Sequence, residues 1–230
     1  RQMCIRDSDY NIIRYNRFYN TTASGLRLYD KGWSTSNHNH VYSNTFYQCG
    51  YNNYTTVEGA IRIIRGTGNA IKNNIFYRNY NNNTIGYLST TREEQKVESN
   101  WEEECNPLFI NPLVGNPFNQ STPDLRLQHN SPCIDSGGYL TYITSPSGSG
   151  TSFIVDDANY FTDGWGIVEG DIIQLEGATQ RARIIKVDYT TNTLIVDRKL
   201  EWTKGQKLSL AYDGPKPDIG AFEYHTSCIH

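Results

Sequence analysis

The side chains best placed by type to do chemistry are cations and tyrosines rather than a cluster of acids. Lys72, Arg62 and Arg65 fall within one short stretch. A cation beside a carboxylated substrate neutralises the carboxylate, and a positioned base can then take the proton from the adjacent carbon. That is β-elimination chemistry, and these three residues are the catalytic candidates. Arg27 is a binding candidate, because a guanidinium pairs bidentately with a carboxylate or sulfate. Tyr19, Tyr47, Tyr77 and Tyr87 are binding candidates of another kind, since flat rings stack on sugar faces. Glu58 is the metal candidate, a carboxylate suited to Ca²⁺. The plain alternative stands beside each of these: tyrosine packs well on strands, and surface arginine serves solubility.

The elements that must position these residues repeat. Ile71-Lys72-Asn73-Asn74-Ile75-Phe76-Tyr77-Arg78-Asn79 is matched by Ile13-Arg14-Tyr15-Asn16-Arg17-Phe18-Tyr19 and by Val41-Tyr42-Ser43-Asn44-Thr45-Phe46-Tyr47. A decayed copy follows at Val97-Glu98-Ser99-Asn100-Trp101. The asparagines Asn16, Asn44, Asn74 and Asn100 lie 28, 30 and 26 residues apart, a spacing that means stacked repeats. Within a copy, apolar and outward residues alternate for two steps, as in a short strand. The asparagine is expected to supply the bend, since Asn tolerates the left-handed conformation, and stacked asparagines can bond along their column. The phenylalanine then turns inward. A second strand aligns Gly25-Leu26-Arg27-Leu28 with Ala60-Ile61-Arg62-Ile63 and, more loosely, with Ile85-Gly86-Tyr87-Leu88. Stacking then predicts three outward rows: Arg14, Tyr42, Lys72 and Glu98; Tyr19, Tyr47 and Tyr77; and Arg27, Arg62 and Tyr87. Each repeat buries its apolar side chains only against its neighbours.

This pattern resembles the right-handed parallel β-helix proteins of the pectate-lyase-like superfamily, over roughly residues 9–137 and a short tail. Two further segments, Pro123-Asp-Leu-Arg-Leu-Gln-His-Asn-Ser-Pro-Cys-Ile-Asp-Ser-Gly137 and Pro217-Asp-Ile-Gly-Ala-Phe-Glu-Tyr224, resemble the C-terminal end of secreted bacterial β-helix proteins. Cys133 stands where those proteins usually have Ala. The resemblance implies an all-β fold, a polysaccharide partner, a secreted or cell-surface location, and segments that close the last rungs. Lyases of this kind often use Lys or Arg as base with Ca²⁺ held by Asp or Glu, although no family catalytic motif maps onto these positions. Hydrolases of this fold cluster Asp residues, and the rungs show no such cluster, Asp30 standing nearly alone.

The two C-terminal segments are separated by an insertion over about 139–215, leaving 9–138 as rungs and cap and 216–230 as the return segment. The insertion opens with an apparent linker, Ser145-Pro-Ser-Gly-Ser-Gly150, followed by candidate strands at 152–156, 171–175, 181–188, 193–197 and 207–211. Tyr189-Thr190-Thr191-Asn192 reads as a hairpin turn. The expected product is a small antiparallel β-barrel or sandwich. Residues 1–8 fit no strand pattern and resemble translated sequencing-adapter sequence at the end of a gene fragment. The natural chain is therefore expected to continue upstream, where a signal peptide would lie.

Among 230 residues the net charge is −3, which gives no sign of a nucleic-acid partner. No apolar run reaches membrane-spanning length. Five cysteines show no metal-ligand spacing; Cys133 reads as small and buried, and a Cys133–Cys228 bridge would join the C-terminal segments. His38 and His40 alternate and face one way if extended, as two metal ligands would, but a third ligand is not evident. Glu98 with Glu102, Glu103 and Glu104, and Asp156 with Asp157 and Asp163, read as Ca²⁺ ligands or as solvated acidic edges. Asp135 and Asp218 read as turn and capping groups. Three functions follow from the residues and the resemblance together: a lyase acting on acidic (uronate) polysaccharide, a non-catalytic carbohydrate-binding or display protein, and a tailspike-like fibre.

Overall fold

A computed structural model of the chain describes residues 3–6, 9–29, 35–50, 59–80, 84–102, 105–113 and 121–225, with 3–6 and 29 as strand backbone alone. Apart from short 3-10 turns, the regular structure among these residues is all strand. The chain divides into two compact units, Arg1–Gly137 with Asp218–His230, and Gly138–Pro217.

The first unit contains three parallel four-stranded sheets. The first sheet is β1 (Met3–Arg6), β4 (Leu26–Tyr29), β7 (Ile61–Ile63) and β10 (Ile85–Tyr87). The second is β2 (Ile12–Arg14), β5 (His40–Tyr42), β8 (Ala70–Lys72) and β11 (Lys96–Glu98). The third is β3 (Arg17–Thr21), β6 (Thr45–Cys49), β9 (Ile75–Tyr77) and β12 (Trp101–Glu102). The chain visits the sheets in one cyclic order, so each turn adds one strand to each sheet. The register reproduces the repeat, with Ile13 beside Val41, Val41 beside Ile71 and Ile71 beside Val97. Phe18, Phe46 and Phe76 stack with centroids 4.7 and 5.1 Å apart inside the core. Each ring fully removed from water is worth roughly 1.5–3 kcal/mol.

Residues 3–6, expected to fit no strand pattern, form β1 and pair in register with β4. Met3 and Ile5 alternate with Cys4 and Arg6, which is period enough for one parallel strand.

The bends differ from expectation. The left-handed residue is the one before each aligned asparagine: Tyr15, Ser43, Asn73 and Ser99, with φ of 49 to 56°. The asparagine is freed for a ladder instead. Asn44 Oδ1 accepts the Asn16 backbone N–H at 3.0 Å, Asn74 Oδ1 that of Asn44 at 3.0 Å, and Asn100 Oδ1 that of Asn74 at 2.9 Å. A second ladder runs Asn11, Asn39, Asn69, Gln95 on the other side of the second sheet, with the same pattern of bonds. It too follows a left-handed column, Tyr10, His38 and Gly68. A non-glycine residue held left-handed costs about 1–2 kcal/mol; here the ladders satisfy the N–H groups that such bends leave without strand partners.

After the last turn, β13 (Phe109–Asn111) and β14 (Asp124–Leu127) form an antiparallel pair. Phe109, Leu125, Leu127, Cys133 and Ile219 gather around Tyr47 and Ile75 of the third sheet. The return segment crosses that sheet toward earlier turns. Ile219 N–H donates to Cys133 O, Gly220 N–H to Asn73 O and Ala221 N–H to Thr45 Oγ1, and Arg17 lies over the Phe222 ring. Rather than closing the last rungs, these segments form a strap along a sheet face. Asp218, read as a capping group, accepts from Asp135 N–H at 2.7 Å and from Tyr224 N–H at 2.6 Å.

The second unit is a six-stranded antiparallel sheet of β15 (Thr141–Tyr142), β16 (Gly148–Ile154), β17 (Ile172–Leu175), β18 (Arg181–Asp188), β19 (Thr193–Trp202) and β20 (Lys207–Leu210). The order is β15-β20-β17-β18-β19-β16, and a bridge between Ile143 and Val155 brings the first and last strands together, so the sheet closes on itself. The β18–β19 turn is 189–192, held by Asp188 Oδ1 accepting from Thr190 and Thr191. Half of the apparent linker is strand: Gly148 pairs with Trp202 and Gly150 with Leu200. The Trp202 indole covers both glycines, lying 3.8 and 3.6 Å from where their Cβ atoms would be, and donates to Pro146 O at 2.9 Å. An aromatic ring laid over strand glycines restores the packing that they lack.

Candidate functional site

The first sheet presents arginine outward. Leu26, Leu28, Ile61 and Ile63 are fully buried in the core, so Arg27 and Arg62 between them face the other way. The two are register partners on β4 and β7. Neighbouring strands lie about 4.8 Å apart, so the two guanidinium stems leave the sheet at that pitch. Arg27 is half-buried and Arg62 is 9% exposed, so both are set into the surface. Arg65, also half-buried, follows from the end of β7.

Tyr87 does not join this row. Ile85 pairs with Ile61, Gly86 with Arg62 and Tyr87 with Ile63, one residue away from the expected alignment. A one-residue slip exchanges the two faces of a strand. Tyr87 therefore packs against the interior cluster, and Gly86 continues the arginine column. Burial pushes the Tyr87 phenol above its ordinary range, opposed by Arg92, which itself pairs with Glu102 at 3.2 Å.

The outward row of the second sheet is as read from the repeat: Arg14, Tyr42, Lys72 and Glu98 are successive register partners. Arg14 Nη1 donates to the Tyr42 hydroxyl at 2.9 Å, and Lys72 Nζ to Glu98 Oε1 at 3.2 Å. Lys72 is 7% exposed. An ammonium engaged by a carboxylate is a structural or binding cation, and it must leave that contact to act as a base. Lys72 and Arg62 lie on different sheets, so the catalytic candidates do not converge on one face.

The Tyr19, Tyr47, Tyr77 row is outward but covered. Tyr47 is fully buried beneath the strap, edge-on to Phe109 at 6.0 Å, and Tyr19 and Tyr77 pack against the same cluster. Burial raises the Tyr47 phenol, and the neighbouring Arg78 guanidinium lowers it. The column serves as the strap's seat and leaves little ring face for a sugar.

For metal, Glu58, Glu103 and Glu104 lie outside the described residues. Among the described residues no group of three His, Cys, Asp or Glu is arranged to hold an ion. His38 is exposed and stacks on Tyr10 at 5.2 Å, whereas His40 is buried within β5, so the two do not face one way. Glu98 and Glu102 are taken up by Lys72 and Arg92. Asp156 accepts from the Tyr142 hydroxyl, Asp157 from Asn159, and Asp163 from Trp165 N–H. No calcium step is derived from these residues. Cys49, Cys105 and Cys133 are free thiols; Cys228 lies outside the described residues.

The sequence reading missed the second ladder and an exposed turn, Gly164–Gly166, in the second unit. The ladder's 28, 30 and 26 spacing was signal enough, but Gln95 in its last place disguised it. Among the described residues no helix is long and apolar enough to cross a membrane. No protein-family model matches the chain, and comparison with curated proteins and with solved structures gives no match.

Proposed function

We propose that the first unit is a run of turns of a right-handed parallel β-helix, and that it binds acidic polysaccharide along the outer face of its first sheet. The observation that supports this is the in-register pair Arg27 and Arg62. Two guanidinium groups one strand apart place two positive charges in a row, a pairing suited to successive carboxylates or sulfates. Binding without turnover is the better supported reading, because Lys72, on another sheet, is engaged by Glu98. Electrophoresis through gel containing polygalacturonate, alginate or a sulfated glycan tests it. Retardation that disappears in Arg27→Ala/Arg62→Ala, with melting temperature kept, is the expected outcome; equal retardation of both proteins contradicts it.

A lyase is the second reading, favoured by the nearness in sequence of Arg62, within β7, and Arg65, two residues beyond its end, as potential neutraliser and base. It predicts ultraviolet absorbance from an unsaturated product. Its loss in Arg65→Ala with binding intact would support the reading, and absence of product from every uronate polymer that binds would remove it.

A further inference from the structure

The second unit carries an exposed apolar turn that neither its sheet nor its core requires. Trp165 is 66% exposed, Ile167 84% and Val168 68%. Three successive residues there are left-handed: Gly164 at φ 82°, Trp165 at 50° and Gly166 at 72°. A bulky residue held left-handed is uncommon, and it persists only where its surroundings fix it.

The surroundings do fix it. Asp163 Oδ1 accepts the Trp165 N–H at 3.0 Å while its Oδ2 accepts the Val187 N–H at 3.2 Å, tying the turn to β18. Thr162 Oγ1 accepts the Gly164 N–H at 2.9 Å. Gly164 O accepts from Ile167 at 2.9 Å and Val168 at 3.2 Å. A Cβ on Gly164 would lie 3.0 Å from the Glu169 carbonyl, and one on Gly170 would overlap Ile184 O, so the turn is pressed against its base. The backbone that carries Trp165 is thus preorganised, while the residue stays largely exposed.

We infer that this turn is a glycan-binding platform, in which Trp165 stacks on the apolar face of a pyranose ring and the Glu169–Arg183 pair takes its hydroxyls. Glu169 Oε2 and Arg183 Nη1 lie 2.9 Å apart, and Arg183 also donates to Gly170 O at 3.0 Å, which fixes a donor and an acceptor at the edge of the turn. A sugar ring is apolar on its face and polar at its rim, as this surface is. A lipid surface fits less well: Asp163, Glu169 and Asp171 flank the turn against Arg183, a balance that repels anionic headgroups. The platform lies on the second unit and does not use Arg27 or Arg62. It shares with the proposed function only the premise of a polysaccharide ligand, and stacking, unlike ion pairing, extends to uncharged polymers.

The test uses the whole chain and its Trp165→Gly and Trp165→Tyr variants. Glycine removes the ring and suits the left-handed backbone, so the melting temperature should not fall. Binding is followed by calorimetry with xylan, galactomannan and polygalacturonate fragments. The expected result is affinity for at least one neutral polymer, lowered by about tenfold or more in Trp165→Gly, partly kept in Trp165→Tyr, and unchanged in Arg27→Ala/Arg62→Ala. Equal affinity of Trp165→Gly and the parent chain overturns the inference, as does absence of binding to every neutral polymer. Loss in Trp165→Gly of a concentration-dependent dimer, seen by light scattering and with glycan binding unaffected, also overturns it and assigns the turn to self-association. If polygalacturonate binding alone fails in every form, the arginine face is wrong and the platform stands.

Discussion

Asn74 Oδ1 receives two hydrogen bonds from Asn44, one from its backbone N–H and one from its carboxamide, both at 3.0 Å. Asn74 Nδ2 in turn donates to Asn100 Oδ1, to Val41 O and to Lys72 O. One buried side chain thus serves three consecutive turns. The fold depends on this relation as much as on the phenylalanine stack, because the bends leave N–H groups that nothing else in the ladder satisfies.

Replacing Asn74 with Ala should therefore be costly. It leaves buried donors and acceptors without partners, each worth roughly 1–3 kcal/mol, so a loss of about 3 kcal/mol is expected in urea unfolding of the chain. A change below about 0.5 kcal/mol, the range of an ordinary surface substitution, would contradict the structural role.

Gly220 should tolerate no side chain. Its φ is 110°, and a Cβ would lie 2.6 Å from Ile75 Cδ1 and 3.2 Å from Thr45 Oγ1. Gly220→Ala is expected to lift the strap, with faster hydrogen exchange at 218–224 and at Tyr47. Exchange there matching the parent protein would show that the strap is not seated as described.

The strap should also respond to pH through Asp218. Burial is the largest influence and raises its carboxyl above the ordinary range, opposed by the N–H groups of Asp135 and Tyr224; the nearby Asp135 carboxylate adds to the rise. An acid whose folded pKa is raised favours the fold while protonated. Its contribution is complete below the unfolded value, near 4, and is lost as pH rises through the higher folded value. Stability measured from pH 3 to 7 should show this loss in the parent and not in Asp218→Asn. Parallel pH profiles for the two proteins would contradict it.

How much of this was legible beforehand depended on range along the chain. The stacking period, the Phe column and the row Arg14–Tyr42–Lys72–Glu98 came from short-range alternation. The Tyr19–Tyr47–Tyr77 row was rightly placed outward, but its cover arrives from Phe109, Cys133 and Ile219, whose approach no local pattern announces. Tyr87 was misread because Gly86, lacking a side chain, hides which phase the strand takes. Gly148 and Gly150 looked like linker because Trp202, which completes them, lies on another strand. The bends were placed on the asparagines rather than on the residues before them, because an asparagine's tolerance of the left-handed region is visible in sequence and its ladder partner is not.

On the function proposed above, the face carrying Arg27 and Arg62 binds acidic polysaccharide through paired charge. Calorimetric titration of the parent chain and of Arg62→Ala with oligogalacturonate, at low and high salt, tests it most directly. Parent binding should weaken as salt rises, with a roughly tenfold or greater loss in Arg62→Ala at low salt, the size expected when one directed ion pair is removed. Equal affinity of parent and variant, or parent binding indifferent to salt, would contradict it.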